Sequence, residues 1–380
     1  MLSSMPEPLS RADVHARRRP HPTRLPHPRG PVSSALVALL DGPPTGDLDL
    51  AGRALGGLWD LPDADLPWWE TPDDVALALV HLDELHRRGL AGVDEGWEAH
   101  PLIDAARWAL GTPVERGLDM LTEPAAAASG CDVVRAILAM VAVPSTYELP
   151  WSAAHEPGRL ADAVVLTAVQ RLRERDVAAA LLPQLAGRPR AVLASVVAED
   201  GPAGSSLTGR RETVGLVLHA LGLRDRSGRY VDSMPGSALW RLAIPSQLVL
   251  RRPARGATIG WLAASDALAA AGRALGGDAL RASGIDRRTA ERWSSCVTGN
   301  EGWPTFEAAE RLVDQEPRLT AGVLAGARAA VRATAAVEAE LEHRWRLGER
   351  ALARPTDLSE RTEPSDQTEL DRHADQGAAR

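Results

Sequence analysis

The chain of 380 residues contains no lysine, although it carries 43 arginines. A phosphate-binding loop of the G-x-x-x-x-G-K-[ST] type is therefore excluded, because its ammonium must reach the phosphates. Schiff-base and pyridoxal-lysine chemistry are excluded for the same reason, and so is a protein-kinase mechanism, which needs its strand lysine. Cysteine is nearly as scarce. Cys131 and Cys296 are too few and too far apart for a disulfide framework or a four-ligand zinc site. Asn occurs once (Asn300), Phe once (Phe306) and Tyr twice (Tyr147, Tyr230), the depletion of AT-rich codons that a GC-rich genome produces. No run approaches the length of continuous apolar residues that spans a bilayer, and the first residues hold no apolar core of secretory type. A soluble, cytoplasmic protein without a membrane partner is expected.

Charge is present but unevenly spread. The net charge of −8 argues against indiscriminate nucleic-acid binding by the whole surface. Residues 31–120 hold 17 acids against 5 arginines, whereas residues 250–300 hold 8 arginines (251, 252, 255, 273, 281, 287, 288, 292) against 4 acids. Any contact with phosphates is expected from the later segment.

Arrangements that carry catalysis are hard to find. Helical di-metal enzymes use paired Glu-x-x-His elements, and Asp83-x-x-His86 and Glu340-x-x-His343 approach that spacing. In a chain with 51 acids and 10 histidines, chance supplies such spacings. No G-x-S-x-G elbow occurs, since Gly204-Ser205-Ser206 lacks the second glycine. His15, His21 and His27 are separated by prolines that prevent a compact ligand cage. The tryptophans, Trp68-Trp69 among them, are not interleaved with arginines as a base-stacking surface would require. No catalytic residue, metal ligand or cofactor is assigned, and an enzyme is not expected.

Residues 1–30 are rich in Pro, Arg and His and are expected to be a disordered basic arm. Ser33 to Leu40 reads as a helix ended by Asp41-Gly42-Pro43-Pro44, and a second helix is expected near Leu48 to Leu58. Thr71-Pro72-Asp73-Asp74 is a strong start signal for a third, Val75 to Arg88, which places Val75, Leu79, Leu82 and Leu85 on one face and stops at Gly89. Leu90 to Trp97 reads as two short strands around Asp94-Glu95-Gly96. Three helices and a hairpin make a winged helix, spanning 31–112 and acidic. This segment, with Trp97-Glu98-Ala99-His100-Pro101-Leu102-Ile103 after it, resembles the winged-helix part of STAND-type signalling ATPases, without the ATPase domain that precedes it there. The resemblance places His100 where that family senses nucleotide; a cap on the following helix is the local reading of the same residue. Its charge suits an unidentified protein partner better than DNA.

Residues 113–200 read as Ala- and Leu-rich helices (Asp132 to Val143, Arg159 to Arg175) broken at Pro144, Pro150 and Pro157, and Gly201 to Ser206 as a linker. Within 201–256, Arg211 to Leu221 reads as a helix, with short strands after Asp225-Arg226-Ser227-Gly228 and at Gln247 to Arg252. A small α/β or second winged-helix-like unit is expected there. Helices resume at Ile259 to Leu275, Pro304 to Val313 and Arg318 to Arg354. In the last, Leu324, Ala327, Val331, Thr334, Leu341, Trp345 and Leu352 form a seam broken by Glu338, which either pairs two copies as a homodimer or packs on the domain. Ala-Gly-Arg-Ala-Leu-Gly-Gly recurs at 51–57 and 271–277 as helix-ending chemistry. Residues 355–380 are expected to be a disordered acidic tail.

The most informative stretch is Asp278-Ala279-Leu280-Arg281-Ala282-Ser283-Gly284-Ile285-Asp286-Arg287-Arg288-Thr289-Ala290-Glu291-Arg292-Trp293. It reads as a short helix, a turn at Gly284 that needs positive φ, and a second helix capped by Asp286. The layout resembles the helix-turn-helix of bacterial DNA-binding proteins, whose second helix enters the major groove. Leu280 stands where a small residue is usual and Ala290 where a branched one is usual. The resemblance implies that double-stranded DNA is the partner. Arg287 and Arg288 would then read bases or phosphates, Arg292 would anchor a phosphate, and Thr289 and Arg281 would lie beside them. The expectation is thus a mostly α, multidomain chain: winged helix, helical bundle, then 257–354 with the helix-turn-helix and a long C-terminal helix. It would act as a DNA-binding regulator of transcription, the alternative being a non-catalytic adaptor in a bacterial signalling or defence system.

Overall fold

The computed structural model describes residues 23–25, 27–44, 66–124, 129–143, 156–197, 207–223, 227–298 and 304–352. Most of the basic arm, the helix expected near Leu48 to Leu58, the 201–206 linker and the 355–380 tail lie outside them. The described residues are mostly helical. In chain order the helices are α1 (Pro31–Leu40), α2 (Asp73–Arg88), α3 (Pro101–Leu110), α4 (Thr112–Leu121), α5 (Gly130–Ala142), α6 (Pro157–Leu181) and α7 (Gly187–Val197). They continue with α8 (Leu207–Ala220), α9 (Gly236–Val249), α10 (Arg255–Ala270), α11 (Gly277–Ala282), α12 (Arg287–Thr298), α13 (Pro304–Gln315) and α14 (Thr320–Arg346). The described sheet structure is a two-residue parallel bridge, Thr23–Arg24 beside Leu90–Ala91.

Several helix starts follow from local chemistry. His100 caps α3, its Nδ1 accepting from the Leu102 N–H at 3.3 Å. Ser129 and Asp132 form a reciprocal capping box at the start of α5. Asp74 does something that sequence spacing does not show. From the first turn of α2 its carboxylate accepts the Val32 and Ser33 N–H groups, at 2.8 and 3.1 Å. It thereby caps α1, a helix distant in sequence, whose first N–H groups would otherwise lack partners.

Two long helices pack closely because glycines let them. A Cβ on Gly260 of α10 would stand 1.9 Å from the Val323 carbonyl oxygen, and one on Gly326 of α14 would stand 1.9 Å from that of Ala257. Across from this pair, α9 lies against α2, α6 and α14. Buried apolar side chains form one continuous cluster from Val32 to Leu352.

The interior is also unusually charged. Arg173 of α6 pairs with Asp83 and Glu84 of α2, all three buried. Arg171 reaches Glu174 at 2.6 Å and Asp266 of α10 at 2.7 Å. Burial opposes the charged form of Arg171, but these two carboxylates outweigh it and raise its pKa. Arg273 donates to Glu338, its Nε at 2.9 Å.

Three expectations are corrected. The hairpin at Leu90 to Trp97 is absent: Leu90–Ala91 pairs with Thr23–Arg24, and Glu95–Trp97 is a turn of 3-10 helix. Asp94 holds that turn by accepting the Gly96 N–H at 2.7 Å, and Trp97 is drawn inward, donating to the Gly42 carbonyl at 2.8 Å. The strands expected within 201–256 are also absent among the described residues. Gln247 to Val249 end α9, and Ser227–Ser233 is 3-10 helix. Every α9 residue from Ala238 to Val249 is buried, so the segment offers no helical period to read. The arm is ordered at its end, where Arg29 donates to the Asp232 and Met234 carbonyls at 2.6 and 2.5 Å. The seam of the long helix follows the second of its two expected alternatives, packing within the chain. Ala327, Thr334, Leu341 and Trp345 are buried, and Glu338 is taken up by Arg273.

Candidate nucleic-acid interface

The helix-turn-helix stretch folds as α11, a tight turn and α12. Gly284 has φ +88°, a conformation that L side chains rarely adopt. Ile285 then turns into the core, and Asp286 caps α12 by accepting the Thr289 N–H at 3.0 Å. The Thr289 hydroxyl and backbone N–H, both donating to it, hold the Asp286 carboxyl below the usual carboxylate range.

Close contact between the two helices comes from Gly277. A Cβ on Gly277 would lie 2.4 Å from the Ala290 carbonyl oxygen, and the Gly277 N–H donates to Ser294 Oγ at 3.0 Å. Leu280 fills the core beneath. Trp293 is fully buried and locks α12 to the chain entering α11, its Nε1 donating to the Leu275 carbonyl at 2.8 Å. Ala290, Trp293, Cys296 and Val297 thus form the inner face of α12, against α8 and α6. Burial pushes the Cys296 thiol up, which suits a packing role.

The outer face carries the predicted arginines. Arg288 is exposed and Arg292 half-buried, and neither makes an ion pair among the described residues. Arg287 is 82% exposed but donates to Glu291, one turn along, at 2.6 Å, and this raises its pKa. Arg281 on α11 is exposed and paired with Asp278. Thr289 is half-buried at the first turn. Arg288, Glu291, Arg292 and Ser295 lie along one stripe of a 3.6-residue period, so the stripe mixes two cations with a carboxylate.

The basic bias of residues 250–300 is offset by the fold. Arg251 pairs with Glu115, Arg255 with Glu316 and Arg273 with Glu338, all partners from other segments. Arg252, Arg288 and Arg292 keep no ion pair among the described residues. The spacings considered as metal motifs are likewise spent on ion pairs. Asp83 binds Arg87 and Arg173, and Glu340 binds Arg344 and the Ser237 hydroxyl. Among the described residues no helix is long and apolar enough to cross a membrane. Compared with protein-family models, curated proteins and solved structures, the chain gives no significant match.

Proposed function

We propose that the chain is a DNA-binding regulatory protein that presents α12 to the major groove of a duplex. The observation that carries this reading is the capped, outward-facing α12 behind a positive-φ turn, with Arg288 and Arg292 on its open stripe and without an ion pair among the described residues. In this reading Arg288 reads a base edge or phosphate at the helix entrance, and Arg292 holds a phosphate one turn further on. Arg287 exchanges Glu291 for a phosphate, an inexpensive exchange because a solvent-exposed i,i+4 pair holds its partners only weakly. Arg281 and Thr289 flank the contact, and the acidic front segment receives input from another protein.

A protein-interaction adaptor of a bacterial signalling or defence system is the competing reading. It is favoured by the pairing of Arg251, Arg255, Arg273, Arg281 and Arg287 with carboxylates, which leaves a small cationic footprint. Selection of bound fragments from a random duplex pool separates the two. Enrichment of a shared sequence by the wild-type chain, lost in the Arg288→Ala/Arg292→Ala variant, supports the regulator. A pool left unenriched by the wild type supports the adaptor.

A further inference from the structure

Away from α12, a cleft of about 700 Å³ opens between the α3–α4 corner, the C-terminal end of α9 and the start of α14. Its volume falls in the range of small-molecule sites. Leu118, Leu248, Pro253 and Leu319 supply apolar wall. Trp108 supplies a ring that is 59% exposed. The Arg251 guanidinium lies over that ring, 4.3 Å from its centroid, and also pairs with Glu115, so the indole is held by a fixed cation.

The polar groups of the cleft are unbalanced in one direction. Gln247 is 2% exposed and lines the cleft, yet its amide nitrogen has no hydrogen-bond partner among the described residues. A buried donor left unmatched is costly, and it asks for an acceptor. Arg252, exposed at the rim, also makes no ion pair among the described residues, so two of the residues that line the cleft carry donors without a protein acceptor. Asp119 is an exposed carboxylate in the α4 wall without an ion pair among the described residues. A multiply charged anion such as a phosphate ester would meet that carboxylate as well as Glu115. A flat apolar body with one negative group at the donor end would not.

We infer that this cleft is a binding site for a planar aromatic carboxylate, whose ring lies on Trp108 and whose carboxylate accepts from Gln247 and Arg252. The inference does not depend on the DNA reading, and its test contains no DNA. The full chain is titrated calorimetrically with 2-naphthoate and, separately, with 2-naphthylmethylamine, which has the same ring and the opposite charge. Saturable binding of the acid without binding of the amine is expected. Arg252→Glu and Trp108→Ala change exposed side chains, so they leave the helical circular dichroism intact. Each should weaken the acid by about tenfold, the size of one charge-assisted hydrogen bond or stacking contact. Gln247→Leu, which keeps the volume and removes the donor, should do the same. Absence of saturable naphthoate binding, equal binding of the amine, or an affinity untouched by all three variants overturns the assignment.

Discussion

His81 sits in the middle of α2 with no exposed surface, and neither ring nitrogen has a hydrogen-bond partner among the described residues. Burial, and then the nearby charge of Arg29, lower its pKa from 6.5 to about 3. The folded chain therefore keeps the imidazole neutral where the unfolded chain protonates it. Stability from this site is complete above pH 6.5 and is lost progressively as pH falls below it, down to about 3. At pH 5 the deficit is about 1.5 pH units at 1.36 kcal/mol each, or about 2 kcal/mol. His81→Leu replaces the ring with an apolar side chain of similar size. It should remove that pH dependence and, by removing the two unmatched nitrogens, stabilise the fold at neutral pH by about 1–3 kcal/mol. Urea unfolding of both proteins at about pH 7.5 and pH 5 measures this directly. The variant's advantage should grow by about 2 kcal/mol at the lower pH. An advantage equal at both pH values would refute the reasoning, because it would mean that His81 is protonated in the folded chain.

Three further changes test the packing and capping of the helical core. Gly326→Ala places a Cβ against the Ala257 carbonyl and should cost about 1–3 kcal/mol or more by forcing α10 and α14 apart; an unchanged melting temperature would show that the pair has slack. Glu338→Gln leaves the buried Arg273 without its carboxylate and should cost about 3–5 kcal/mol, whereas Glu338→Leu combined with Arg273→Leu should recover most of it. A double variant no better than the single one would contradict the ion-pair account. Asp74→Ala removes the acceptor of the Val32 and Ser33 N–H groups and should cost about 0.5–2 kcal/mol, read as faster amide exchange at the start of α1; unchanged exchange there would argue against the cap.

Helix positions were legible wherever a local signal marks an end. Thr71-Pro72-Asp73-Asp74 and Gly89 bracket α2 within two residues, and the His100 cap and Gly284 turn stand where the residues put them. Three kinds of feature were not legible. Helices buried on all sides, such as α9, lose the polar face that reveals a period, and Gln247 to Arg252 reads as a strand for that reason. Short extended pieces depend on partners far away, as Leu90–Ala91 does on Thr23–Arg24. Charge balance is a tertiary property: the arginines of 250–300 look like a footprint until Glu115, Glu316 and Glu338 arrive from elsewhere. The long-helix seam was legible as apolar but not in its destination. The small residues that seat it, Gly256 and Gly260, belong to a helix some sixty positions earlier in the sequence.

DNA reading by α12 is tested most directly by a salt titration of duplex affinity for the wild-type chain beside Arg288→Ala, Arg292→Ala and the triple variant that adds Arg287→Ala. The wild type should bind duplex with an affinity that falls steeply with salt. Each phosphate-holding arginine removed should lower the slope of log affinity against log salt by about 0.9. A base-reading arginine should instead cost about 1–3 kcal/mol on the preferred sequence alone. A wild-type chain without duplex affinity at low salt, or a triple variant that binds as tightly as the wild type, would contradict the assignment of α12 as the DNA-reading helix.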